Sequence, residues 1–113
     1  MLKDSYLDYV IDSLSFCAKE ISYRKMFGGY GIYYHGVMMG LLAKNELYFK
    51  VDDSNRDKYE ERKSVPFTYE KKDKTVTMSY WKLPEEILED PSELKVWLDM
   101  SYNIVKNNLS SRE

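Results

Sequence analysis

Cysteine and histidine each occur once among these 113 residues, proline occurs three times, and no apolar run is long. Each shortage excludes something. Cys17 alone cannot close an internal disulfide, and Met1-Leu2-Lys3-Asp4-Ser5 lacks the apolar stretch of a secretion signal, so a reducing cytoplasm is the expected compartment. Nothing approaches the roughly 20 consecutive apolar residues of a bilayer span. No membrane association is therefore expected. A zinc site draws on several converging ligands, and nucleophilic catalysis needs an activated nucleophile, a base and an orienting group. One histidine and one cysteine supply neither, so the expectation is no catalytic residue, no metal, no cofactor and no enzymatic activity. A formal charge of −2 and a pI near 5.5 also lack the basic surplus that drives autonomous nucleic-acid binding, although Lys71-Lys72-Asp73-Lys74 is locally basic.

Tyrosine, in contrast, is abundant: eleven residues against four phenylalanines. Its ring buries well while its hydroxyl stays near water, which suits half-exposed sheets, subunit contacts and ligand clefts alike.

The apolar positions Leu7, Val10, Ile11, Leu14, Cys17, Ala18 and Ile21 recur at three- and four-residue spacing and predict an amphipathic helix from near Asp4, capped by Asp4 or Ser5. Helical periodicity then stops. Three strands are expected, at about Met26 to Tyr34, Val37 to Ala43 and Glu46 to Val51, joined by connections too short for parallel crossovers. Asp52-Asp53-Ser54-Asn55 reads as a turn or cap, followed by a short peripheral helix over Arg56 to Arg62. Phe67 to Glu70 and Thr75 to Trp81 predict a hairpin, the second strand alternating Val76, Met78 and Tyr80 on one face. A short helix from Leu83-Pro84 to Leu88 precedes a last helix ending near Leu109. The latter's start carries the strong signal Asp90-Pro91-Ser92-Glu93, an N-cap, a proline at the first helical position and a glutamate at the third. The resulting order α-β-β-β-α-β-β-α-α predicts an α+β two-layer sandwich, a five-stranded antiparallel sheet with helices packed on one face.

The most distinctive segment is Arg24-Lys25-Met26-Phe27-Gly28-Gly29-Tyr30-Gly31-Ile32-Tyr33. Adjacent Gly28 and Gly29 suggest positive φ, a strand bulge or close approach by another group. A phosphate loop is excluded because Gly-Lys-Ser/Thr is missing and a strand follows. The candidate binding site combines Arg24, Lys25, Gly28 and Gly29 with Tyr30, Lys50, Tyr69 and Trp81 at the sheet edge, where a small anion or a peptide can come close. Arg24 also reads as a partner for the last carbonyls of the first helix. His35, beside Gly36 in a predicted turn, and Cys17, on the apolar helix stripe, read as structural. Trp81 and Trp97 read as core anchors first.

Arg24 through Tyr33, Leu47-Tyr48-Phe49-Lys50-Val51, Pro66-Phe67-Thr68-Tyr69, Met78-Ser79-Tyr80-Trp81-Lys82-Leu83-Pro84 and Trp97, in this order, resemble the N-terminal domain of the TfoX/Sxy family of bacterial competence regulators. Most of the chain is covered. The resemblance implies an α+β fold with an antiparallel sheet, a cytoplasmic bacterial protein and no catalysis. Full-length regulators of this type carry a second, C-terminal helical domain, whereas residues 1–113 read as a stand-alone N-terminal-like domain without it. Family members are thought to act with the cyclic-AMP receptor protein at promoters, which implies a protein partner of that kind. Two functional readings follow. One is a non-enzymatic regulatory or adaptor domain in transcription regulation that contacts another protein, or a second copy of itself, through an exposed sheet face or edge. The alternative is a sensor for a small anionic ligand, its cleft between the glycine segment and the helices, with Arg24 and Lys50 meeting the anion.

Overall fold

The computed structural model describes residues 5–26 and 28–111, and opens on α1 (Ser5–Cys17). Asp4, the expected cap, and Phe27 of the distinctive segment lie outside the described residues. Four strands follow, β1 (Ile21–Met26), β2 (Gly29–Tyr34), β3 (Val37–Ala43) and β4 (Glu46–Lys50), then α2 (Arg56–Glu61), the hairpin β5 (Pro66–Lys71) and β6 (Lys74–Lys82), α3 (Glu85–Leu88) and α4 (Pro91–Ser111). The fold is α+β around one antiparallel sheet, with six strands where five were expected.

The extra strand comes from the end of the expected first helix. Ala18 still donates its N–H to the Leu14 carbonyl at 2.9 Å, but Glu20 adopts φ 60 and turns the chain, so Ile21 opens β1 instead of closing α1. Ile21 is partly buried against the same core as the apolar stripe of α1, which is why spacing alone misassigned it. The expected strand Met26 to Tyr34 is consequently two strands. Gly28 at φ 78 turns them back on each other, and Met26 pairs with Gly29. The glycine pair thus makes a hairpin, not a bulge. The bulge sits four residues on, where Ile32 pairs with Gly40 but Tyr33 pairs with Met38.

The remaining hairpin turns have a common chemistry. His35 and Gly36, Lys44 and Asn45, and Lys72 and Asp73 each place two consecutive residues at positive φ, the conformation of a two-residue turn whose twist matches that of its strands. Strand order is β1-β2-β3-β4-β6-β5, so the second hairpin docks on the first four strands through β6, by pairs such as Phe49 with Trp81 and Lys50 with Tyr80. Pro66, which has no N–H to donate, opens the edge strand β5.

One core joins the helices to the sheet. Leu7, Val10 and Leu14 of α1, Ile87 and Leu88 of α3, and Leu94, Trp97 and Leu98 of α4 bury with Ile32, Tyr34, Met39, Leu42, Leu47 and Phe49. The start of α4 is held as its sequence signal indicates: Asp90 Oδ1 accepts the N–H groups of Ser92 and Glu93 at 3.1 and 3.3 Å. Among the described residues no helix is long and apolar enough to cross a membrane.

Candidate functional site

Antiparallel partners share a sheet face, so the register assigns every strand residue to the helix side or the open side. Tyr30 pairs with Leu42 and Leu42 with Leu47, all three in or against the core. The alternate residues form the open row: Gly31 with Leu41, Leu41 with Tyr48, Tyr48 with Lys82. Along β6 the expected alternation holds as far as Ser79, Val76 and Met78 being half-buried between exposed neighbours, and Tyr80 is half-buried beside the half-buried Trp81.

The open side encloses an apolar cavity of about 280 Å³ lined by Met26, Gly29, Met38, Leu41, Ala43, Phe67, Tyr69 and Met78. Met26 belongs to β1 and Phe67 and Tyr69 to β5, which are the two opposite edges of the sheet. A flat six-stranded sheet would hold such edges far apart, since neighbouring strands are spaced about 4.8 Å. The sheet therefore curls over its own open face. Local irregularities, the β2–β3 bulge and a second register shift between Pro66 and Thr68, supply the bend and extra twist.

Gly29 and Gly31 keep this floor low. A Cβ on Gly29 would lie 2.2 Å from the Leu42 carbonyl oxygen, a backbone atom that cannot retreat without parting β2 from β3. At Gly31 the obstacles are softer, the methyl end of Met26 at 2.8 Å and that of Met38 at 3.2 Å. Tyr48 closes one flank, its ring 5.0 Å from that of Phe67 in an edge-on arrangement.

Two cations lie on the same side. Arg24, paired with Gly31, holds its guanidinium carbon 5.5 Å from the centre of the Tyr33 ring. Lys50 Nζ lies 5.3 Å from the Tyr80 ring and donates to Ser79 Oγ at 2.5 Å. Its backbone is fixed from behind, because the Lys50 carbonyl accepts from Asn55 Nδ2 at 3.2 Å and from Ser101 Oγ at 2.8 Å. Burial, and secondarily the nearby Tyr33 hydroxyl, pushes the Tyr80 hydroxyl above its ordinary pKa, so it remains a donor. Among the described residues neither Arg24 nor Lys50 has a carboxylate partner, whereas Lys82 in the same rows is bound to Glu46 at 2.8 Å.

The structure divides the eight expected site residues. Gly29 and Tyr69 line the cavity, and Arg24 and Lys50 share its side of the sheet. Gly28 belongs to the β1–β2 turn. Lys25 pairs with Tyr30 and lies on the helix side, as do Tyr30 and Trp81, both packed against the core. Adjacent Arg24 and Lys25 therefore project to opposite faces and cannot meet one ligand. The expected edge location is corrected too: Lys50, Tyr30 and Trp81 sit on internal strands, and only Arg24, Lys25 and Tyr69 lie on edge strands. Arg24 in β1 is not a cap for α1. On the helix side of the glycine segment Tyr30 packs against the core, and the apolar cavity lies on the other face. Sequence reasoning missed Met26, Met38, Leu41, Ala43, Phe67 and Met78. The half-buried alternation of β6 was the one available signal.

The two reactive residue types are far from an activated arrangement. Cys17 Sγ donates to the Leu14 carbonyl at 3.5 Å, and burial pushes its thiol pKa up. His35 Nδ1 is 3.6 Å from the Glu20 carboxylate at a turn. Among the described residues no group of three or more His, Cys, Asp or Glu side chains is arranged to hold a metal.

On the helical side, Tyr9, Ser13 and Phe16 form a second stripe on α1, distinct from the buried Leu7, Val10 and Leu14, and with Leu88, Glu89, Pro91 and Leu94 they border a shallow groove. Phe16 is 79% exposed.

No curated protein matches the chain. The family model for the TfoX N-terminal domain matches residues 12–104, a span from the second turn of α1 into α4 that contains every strand of the curled sheet. The chain therefore belongs to the TfoX N-terminal domain family.

Proposed function

We propose that this domain is a non-enzymatic adaptor in transcription regulation, of the kind used by competence regulators, and that it works by docking on a protein partner. The observation that carries this reading is the outer stripe of α1. A phenylalanine exposed to 79%, one turn from Ser13 and two from Tyr9, contributes nothing to the core and costs solubility. Large aromatic side chains over a shallow groove are what interface centres use. Family membership favours a transcription factor such as the cyclic-AMP receptor protein as the partner. This reading moves the docking surface from the exposed sheet face or edge expected from sequence to α1. The raised Cys17 pKa and the turn position of His35 support a role without catalysis.

The test is direct binding of the purified domain to purified cyclic-AMP receptor protein on promoter DNA, read by biolayer interferometry, with Phe16→Asp as the control. Saturable binding that Phe16→Asp removes, at unchanged melting temperature, is the expected result. Binding that survives Phe16→Asp refutes the surface, and no binding to the DNA-bound factor refutes the partner class.

A further inference from the structure

We infer that the cavity on the open face of the sheet is a binding site for a small amphipathic anion, an unbranched or aryl-substituted carboxylate whose apolar body enters the cavity and whose head meets Arg24 and Lys50. This goes beyond the adaptor role, which rests on α1 at the other side of the molecule.

The lining argues for the body of the ligand. Of the eight residues around the cavity, three are methionines, and Tyr69 alone carries a polar side-chain atom. Thioether side chains adapt their shape to what they touch, so such a wall accepts a flexible apolar chain without dictating its branching. A volume of about 280 Å³ lies at the lower end of small-molecule sites. A backbone segment of a protein partner is a poor occupant, because its N–H and C=O groups would meet no partner inside such walls.

The charges argue for the head. Arg24 stands two residues from the cavity-lining Met26 on the same face of β1, and Lys50 lies on the same face of the sheet in β4. Gly31, the partner of Arg24, is covered by the cavity-lining Met26 and Met38, and Lys50 stands two residues along β4 from Tyr48 on the same face, where the Tyr48 ring meets Phe67 edge-on. Both cations rest on tyrosine rings and, among the described residues, neither meets a carboxylate, although the chain as a whole carries a net charge of −2. The tyrosines Tyr33 and Tyr80 bring two hydroxyl donors between them. An apolar pocket with a few convergent polar groups at its margin is the general form of a ligand site. The sign of those groups selects an anion, and their position selects one at the end of an apolar chain.

Titration calorimetry with decanoate, decanol and decyltrimethylammonium, each below its micelle concentration, tests the assignment on the purified domain. Decanoate is expected to bind at one site per chain, decanol at least about tenfold more weakly, and the cation not at all, since a hydrogen bond to a charged group discriminates by that factor or more. Arg24→Gln with Lys50→Gln should bring decanoate down to the affinity of decanol without changing decanol itself. Ala43→Phe, which fills the cavity from its floor, should abolish both. Should Ala43→Phe fail to fold, Ala43→Leu narrows the cavity from the same position and should weaken both. Equal binding of decanoate and decanol overturns the anionic head, decanoate binding that survives the cavity-filling variant overturns the location, and no binding of decanoate overturns the proposal. Sedimentation with phosphatidylglycerol vesicles in place of soluble decanoate binding would mean a bilayer surface and equally overturn it.

Discussion

The two faces of this sheet are built from the same strands, residue by residue, and have opposite properties. The helix side is closed: Ile32, Met39 and Phe49 have no exposed surface, and α1 and α4 fill the space above them. The open side has glycines where side chains should stand, methionines where branched residues would pack better, and two cations resting on tyrosine rings. One face is densely packed, and the other keeps a void. The difference teaches that alternation in a strand specifies two surfaces at once, and that stability needs only one of them.

The comparison is broken most forcefully from the closed side. Phe49→Ala should cost about 3–5 kcal/mol in urea unfolding, because a large ring leaves a cavity in a core that cannot collapse around it. Met78→Ala, on the open side, should cost less than about 1.5 kcal/mol, since it only enlarges a cavity already present. If the two substitutions cost the same, the faces are not different in the way described.

The glycines sharpen it further. Gly29→Ala puts a Cβ into the Leu42 carbonyl and should cost about 1–3 kcal/mol, the usual range for overpacking. Gly31→Ala meets only the movable end of Met26, and its loss should be smaller, measured in the same urea titration. The reverse order would show that the β2–β3 contact is not the constraint. Asp90→Ala should remove about 1 kcal/mol through the α4 cap alone. Its effect should leave the open face untouched, which decanoate affinity can verify.

The smallest expected effect is on pH dependence. Burial first, and then Glu85, raise the Tyr6 hydroxyl from 10.0 to about 12. A group whose folded pKa is raised is protonated more in the folded state across that interval, so stability falls as pH rises from about 10 towards about 12. Tyr6→Phe should flatten that alkaline limb in thermal melts recorded across the window. An unchanged slope would mean that Tyr6 titrates alike in the folded and unfolded chains.

What the sequence by itself determined was local. The cap at Asp90, the helical stripe through Leu7, Val10 and Leu14, the alternation of β6 and the short turns at His35-Gly36 and Lys44-Asn45 all follow from the spacing of residues whose preferences act over a few positions. Ile21 and the Met26 to Tyr34 segment were misread for the same reason: an apolar residue at helical spacing is equally at home in a strand that packs against the same core. Only the tertiary structure decided which face each strand residue joins, and so separated Arg24 from Lys25. It also decided that the sheet curls until Met26 and Phe67, from opposite edges, wall one cavity. Curvature is the sum of bulges, twist and edge contacts over all six strands, and no single segment of sequence carries it.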